Sequence, residues 1–393
     1  MIEAQATAPE DVAASVERVV PPSLVPLFDG RFTRSHLLFD EYIFRLTLDV
    51  VARAGLDECL ADGGSVEGVV ARAHLDAQCS TVPIGWMFRR LAARGVLARH
   101  TDGRFRAKDA LPALDPQPVR AEQRAHDPAS LPSYALADAA AADYPAFLRG
   151  ERRGEDILLA PARMPLWVAY FSNENILYAI NNLVGAVALE AWMPAEPTTI
   201  LELGGGLGSG ATAALDRLAE AGRLPALRAY RFTELVPAFL RRGQRLLQQR
   251  PEPISFDALD MNRPFAEQGV APGSVSVVYA VNTLHVAHDL VFTLDQVRRA
   301  LGPHGQLVIS ECIRPWDGHT VYPEFVFNLL ETFRAPKLDP TNRPNGGFLT
   351  PEQWTSVLTV AGFDDIRMLP DITRVRQVFP SFYVAAIGAR RSD

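Results

Sequence analysis

The apolar run Thr199 to Leu203 breaks at once into Gly204-Gly205-Gly206-Leu207-Gly208-Ser209-Gly210, and a helical pattern, Ala211 to Leu218, follows directly. A short apolar run bounded by glycines reads as a buried parallel strand. Strand, glycine turn and helix start together make a nucleotide-binding corner. The missing side chains let backbone approach a ligand closely, and the helix start presents free N–H groups. The alternative at this point is a glycine loop that merely turns the chain.

Dinucleotide sites call for G-x-G-x-x-G with an acid about 20 residues further on. From Gly204 that pattern fails, because Ser209 occupies the third glycine position. A shifted register (Gly206, Gly208, Ala211) passes only in the variant ending in alanine. A dinucleotide also leaves Glu202 unexplained. A carboxylate just before the glycines can receive an ammonium group through charge-assisted hydrogen bonds. That combination points to S-adenosylmethionine, a nucleoside joined to an amino acid.

From about residue 195 strand and helix patterns alternate. Strands are predicted near 199–203, 229–233, 254–258, 275–281, 305–311, 364–368 and 381–388. Repeated βα units imply a parallel sheet covered by helices on both faces, with ligands beyond the strands' carboxyl ends. Upstream, residues 40–60, 64–74 and 82–94 carry helical periodicity. Runs at 95–99 and 104–107 then flank Thr101-Asp102-Gly103, a hairpin signal. Helices followed by a hairpin suggest a winged-helix module, used for dimerisation or for DNA. Residues 108–165 read as a Pro- and Ala-rich connector with a helix or two. Residues 165–192 read as one aromatic and amide-rich helical stretch (Trp167, Tyr170, Phe171, Asn173, Asn175, Tyr178, Asn181, Asn182). Residues 1 to about 30 are expected to fray.

The chain's 393 residues suffice for two domains, and its composition, 48% hydrophobic and 22% charged, is that of a globular protein. A net charge of −7 without a basic stripe argues against nucleic acid as the main partner. No apolar run reaches membrane-spanning length, so no membrane partner is expected. Cys59, Cys79 and Cys312 have neither disulfide-framework nor zinc spacing. They suggest a reducing, cytoplasmic setting and no metal.

Three further groups stand at strand ends. Glu234, after the second strand, can take both ribose hydroxyls of an adenosine, or can simply open a helix. Asp260, after the third, can accept an adenine amino group with Met261 against the ring, or can serve a turn. His285 and Glu311 end the fourth and fifth strands. A histidine is a natural base near neutral pH, and a carboxylate on its other nitrogen fixes the tautomer. The bland alternative is a structural histidine and an acid capping a helix.

In order and spacing, several stretches resemble the class I S-adenosylmethionine-dependent methyltransferase domains of polyketide synthases. They are Tyr230 to Glu234, Leu259 to Met261 with Glu267 to Gly269, Asn282 to Leu290, Leu301 to Glu311, and Phe348 to Trp354 with Ala361 to Phe363. The resemblance covers about 195–390. Ser276 replaces an acid usual before the fourth strand, and His304 a glycine usual in the turn before the fifth. The N-terminal half is similar instead to the dimerising winged-helix domain of small-molecule O-methyltransferases.

The resemblance implies an α/β fold, a Rossmann-like seven-stranded class I methyltransferase sheet with an N-terminal, mainly helical, winged-helix-like domain. The expected division is 1–110 for dimerisation, 111–194 as a helical connector and 195–393 for the cofactor. Glu202, Gly204, Gly206, Glu234, Leu235, Asp260, Met261 and Asn282 are the expected cofactor-binding positions. In carbon-methylating members a His–Glu pair does the proton chemistry, and the matching positions are His285 and Glu311. The expected partners are a small-molecule or carrier-protein-bound acyl substrate, methylated on carbon or oxygen, and a second copy of the chain. The expected substrate pocket adjoins the sheet's carboxyl edge, the 165–192 stretch and the insert 313–347, with Trp316, Tyr322, Phe325, Phe327 and Phe333. Two rival readings remain, a non-methylating cyclase-type enzyme on the same fold and a winged-helix regulator. The 82–94 helix offers such a regulator only Arg89, Arg90 and Arg94.

Overall fold

The computed structural model describes residues 9–392. Nine strands, numbered along the chain, form two sheets among the described residues. A hairpin pairs β1 (Leu97–Arg99) with β2 (Phe105–Ala107). The larger sheet holds β3 (Thr198–Leu203), β4 (Leu227–Thr233), β5 (Ile254–Asp257), β6 (Val275–Val281), β7 (Leu301–Cys312), β8 (Phe363–Leu369) and β9 (Val384–Arg391). Its order is β5-β4-β3-β6-β7-β9-β8. Strands β3 to β7 pair in parallel, and the order switches direction between β3 and β6. The central strands are apolar on both faces because helices cover both, so Ile200, Leu201, Val277 and Val278 are fully buried.

The parallel pairing expected of repeated βα units holds from β3 to β7 and changes at the far edge. There β9 runs antiparallel to both β7 and β8. Residues 370–383 hold only one short helix, Ile372–Val378, between β8 and β9. Too short to cross the sheet, that link returns the chain from the end where β8 stopped. The β9 strand also lies three residues later than expected, and β7 begins four residues earlier.

The described residues pack as two units, and the expected boundaries at 110 and 194 are not where they divide. The first unit contains the large sheet, residues up to Thr33, Phe171–Pro315 and the chain from Pro336 on. The frayed N-terminus is corrected from Pro9 onward, where a helix runs Pro9–Glu17; the rest of that expectation lies outside the described residues. Phe28 and Phe32 stack edge-on against Phe382, which ties the N-terminal segment to the start of β9. The helix Ile176–Trp192 lies on the sheet, and Asn175 starts it. The predicted single stretch at 165–192 is therefore two helices, the other being Met164–Tyr170. At the far side of the sheet Thr350 and Gln353 form a reciprocal cap for the helix Pro351–Val360.

The second unit takes Arg34–Tyr170 and Trp316–Ala335. The helix expected at 40–60 is two, Gly30–Arg53 and Leu56–Asp62, parted at the left-handed Gly55, while Val66–Arg72 and Ala77–Ala93 precede the β1–β2 hairpin near the ranges the periodicity predicts. The connector carries more helix than expected, with Gln117–His126, Leu131–Leu148 and Gly154–Leu158. Tyr42 and Tyr134 pack at 4.5 Å between ring centres, and the Tyr42 hydroxyl donates to Asp138. Three of the five insert aromatics expected at the pocket, Tyr322, Phe325 and Phe333, are buried. Tyr322 packs on Phe39, Phe325 on Trp86 and Tyr144, and Phe333 on Phe327, all inside this unit. Trp316 is exposed beside His319. Arg90 and Arg94 both pair with Asp40 at 2.8 Å, and Arg94 also with Glu41 at 3.3 Å, which engages two of the three arginines a DNA-reading helix would present.

Candidate active site

The carboxyl ends of β3, β4 and β6 enclose a cavity of about 180 Å³. Its wall includes Glu202, Gly204 to Gly206, Glu234, Asn282 and Thr283, with Phe171, Tyr178 and Asn182 opposite. The glycine loop is required by shape. Gly204 has φ +60°, and a Cβ there would stand 2.3 Å from Thr283 Oγ1. Gly206 has φ +58°, and its amide donates to Glu234 Oε2 at 2.9 Å. The other Glu234 oxygen accepts from the Val236 amide at 2.7 Å. Burial still leaves the Glu234 carboxyl above the ordinary carboxylate range, despite these backbone bonds.

Glu202 is 1% exposed, and its Oε2 has no hydrogen-bond partner among the described residues. Burial pushes its carboxyl up to about 8; the nearby Tyr230 hydroxyl opposes the rise and the Glu234 charge adds to it. A buried carboxylate without a partner is costly, and a cation entering the cavity would relieve it. The site thus fits a ligand that brings an ammonium group to Glu202 and hydroxyl donors to Glu234. On the opposite wall an amide chain runs from Asn182 Nδ2 to Asn173 Oδ1 (2.7 Å) and from Asn173 Nδ2 to the Ser209 carbonyl (2.9 Å).

Beyond Asn282 the chain makes a tight turn, Leu284–Val286, that carries His285. Asn282 sits at φ +48° and its Oδ1 accepts the Cys312 amide at 3.2 Å, which ties the β6 end to β7. Glu311 is fully buried on β7. Its Oε1 accepts the amides of Thr283 (3.2 Å), Leu284 (2.9 Å) and His285 (3.4 Å). Its Oε2 lies 2.6 Å from His285 Nδ1. A carboxylate so placed accepts on both oxygens, so Nδ1 is the donor and Nε2 the basic nitrogen. Phe348 packs against the His285 ring, 4.7 Å between centres. Such a pair can take a proton and stabilise the imidazolium that results.

Residues 201–307 match the family described as a methyltransferase domain. The chain carries a methyltransferase domain over these residues. Its relatives include methyltransferase calH of Penicillium decumbens, 33% identical over 42% of this chain and 44% of that protein. They also include the highly reducing polyketide synthase ACRTS2 of Alternaria alternata, 29% identical over 56% of this chain and 8% of the synthase. The chain thus spans under half the length of these relatives. The crystal structure of the CurJ carbon methyltransferase shares the fold, with a TM-score of 0.78 at 20% identity over 98% of this chain and 99% of that one.

Within the methyltransferase domain, Glu202, Gly204, Gly206, Glu234 and Asn282 meet around one cavity, as the sequence reading requires. Asp260, Met261 and Leu235 are not part of its wall. Asp260 Oδ1 accepts the Asn262 amide, while Gln268 pins the Asp260 main chain on both sides. Leu235 is 53% exposed. The wall residues Phe171, Tyr178 and Phe239 were not singled out for the cofactor. Phe171 and Tyr178 belonged to the amide-rich stretch, whereas Phe239 carried no signal of its own.

Proposed function

We propose that this chain methylates the acidic carbon of a polyketide-type acyl substrate, free or bound to a carrier protein. The observation that carries the reading is the buried 2.6 Å contact between His285 Nδ1 and Glu311, with the second Glu311 oxygen held by backbone amides. Glu202 would receive the ammonium of S-adenosylmethionine and Glu234 its ribose hydroxyls, with Asp260, Met261 and Leu235 toward the adenine. The bound cofactor supplies a methyl group that is already activated. The protein's task is therefore alignment and proton removal. His285 Nε2 takes the proton between two carbonyls of the acceptor, which leaves that carbon nucleophilic, while Glu311 balances the charge on the ring. The relatives and the structural neighbour, polyketide synthases and a carbon methyltransferase, support this acceptor class.

Incubation with methyl-¹³C S-adenosylmethionine and a β-ketoacyl pantetheine thioester tests the reading. Carbon NMR should place the label on the carbon between the carbonyls. Label on oxygen would move the assignment to O-methylation, and binding without transfer would favour a non-methylating enzyme. We further propose that two copies associate through the N-terminal helical region, in keeping with its acidic setting rather than with nucleic acid. Light scattering of the full chain should then report twice its 43.1 kDa. The proposed setting is the cytoplasm; among the described residues no helix is long and apolar enough to cross a membrane.

A further inference from the structure

The chain that re-enters the first unit at Pro336 passes over the His285 turn and grips it from outside. The Lys337 amide donates to the His288 carbonyl at 2.7 Å, and Lys337 Nζ reaches Asp289 Oδ2 at 2.7 Å. Asp339 and Arg343 then exchange backbone hydrogen bonds in both directions, at 3.0 and 2.9 Å. Asp339 Oδ1 accepts the amides of Thr341 and Asn342 inside that loop. Ser356 fastens the loop to the helix Pro351–Val360 by donating to Asn342 Oδ1 at 2.7 Å. What this rigid loop delivers is one side chain. Arg343 is 2% exposed, and its terminal nitrogens donate to the main-chain oxygens of Ala287 (2.8 Å) and His285.

A buried guanidinium is expensive unless its donors and charge are answered. No carboxylate lies within ion-pair distance of Arg343 among the described residues, so two carbonyls of the His285 turn answer its terminal donors, while Nε has no partner there. Burial lowers its guanidinium to about 10 while the Glu311 charge holds it up, so it stays charged at neutral pH. His285 is therefore held at three points. Glu311 takes its amide and its ring, and Arg343 takes its carbonyl.

We infer that Arg343 is a positioning residue for His285, its forked guanidinium fixing the turn so that the imidazole stays on Glu311 with Nε2 aimed at the acceptor. The role rests on the reading of His285 as the base. It needs an arginine, because lysine's single ammonium cannot span two carbonyls as a planar fork does.

The test uses the full chain carrying Arg343→Gln or Arg343→Lys, with three readouts: turnover, S-adenosylhomocysteine affinity, and the deshielded Nδ1 proton of His285 in the NMR spectrum. A small misplacement of a catalytic group costs about 10–100-fold in rate, so kcat should fall by that much in both variants. S-adenosylhomocysteine affinity should stay within about twofold, because Arg343 does not line the cofactor cavity. The Nδ1 proton signal should broaden or move upfield in both. Added guanidinium should restore part of the lost turnover in Arg343→Ala. If Arg343→Gln fails to bind S-adenosylhomocysteine, Arg343→Lys decides, since it keeps the charge and much of the volume. An unchanged kcat and an unchanged Nδ1 signal in either folded variant would overturn the inference. So would a kcat loss matched by an equal loss of cofactor affinity, which marks a general structural defect. Full turnover in His285→Ala would instead remove the base assignment, and the NMR readout would still judge what Arg343 holds.

Discussion

Replacing Glu202 by glutamine should stabilise the ligand-free protein at alkaline pH and cripple cofactor binding. In the folded chain burial moves the carboxyl from its ordinary 4.5 to about 8. The folded protein thus holds this proton to higher pH than the unfolded chain does. Stability is therefore unaffected by the Glu202 charge below the ordinary value, falls as pH rises from there to about 8, and levels beyond. At about 1.4 kcal/mol per pH unit, the ceiling on the loss is roughly 5 kcal/mol. Glutamine has the same shape and no charge to bury. The stability gap between Glu202→Gln and the unsubstituted protein should therefore be small at pH 5, widen through pH 6.5 and be greatest near pH 8.5. For a unit of this size each kcal/mol moves the melting point by about 2–4 °C, so the gap is readable by calorimetry. A constant offset from the amide's own hydrogen bonds cancels in the comparison across pH. Saturating S-adenosylhomocysteine should reverse the order, because its ammonium compensates the carboxylate and repels nothing in the amide. A gap that does not change with pH, or a glutamine variant less stable at pH 8.5 than at pH 5 relative to the parent, would refute the argument.

General-base catalysis contributes about 10²–10⁴-fold, so His285→Ala should lose turnover by that factor with cofactor affinity intact. Glu311→Gln should lose less, and the double variant no more than the larger single loss, because the two groups act as one unit. His288→Ala should be nearly silent, since its side chain is exposed and the neighbouring bonds use only its main chain. Glu234→Ala removes the acceptor for the Gly206 and Val236 amides and should weaken S-adenosylhomocysteine binding about tenfold or more by calorimetry. NAD binding more tightly than S-adenosylhomocysteine would contradict the cofactor assignment. Gly204→Ala and Gly206→Ala share a left-handed backbone worth about 1–2 kcal/mol of strain. Only at Gly204 would the new methyl also collide with Thr283, so thermal melting should show Gly204→Ala as much the worse of the two.

Local pattern carried most of the sheet. The β6 strand runs over Val275–Val281 as predicted, because a central parallel strand is a near-continuous apolar run, here interrupted only by Ser276, with turns at both ends. The hairpin around Asp102-Gly103 was equally legible, since Gly103 takes the left-handed conformation that a tight turn demands. Strand direction was not legible in the same way. The residues of β9 are as apolar as those of a parallel strand, and only the short link from β8 makes it antiparallel. The burial of three insert aromatics was illegible for a related reason. Phe325 and Tyr322 have the composition of a pocket wall, but the chain carries them into the second unit, where they fill its core.

The amino-acid sequence by itself determined which residues could form strands, where the chain had to turn without side chains, and that acids and a histidine stand at the strand ends. Periodicity and glycine chemistry act over a few neighbouring residues, so these features survive without knowledge of the fold. Tertiary structure alone decided what those groups do to one another. Glu202 is poised for a cation only because the fold buries it beside Tyr230 and Tyr279. Arg343 reaches the His285 turn across 58 residues of chain, and no local pattern announces it. Burial and long-range contact create both effects, and they exist only once the chain has closed around the site.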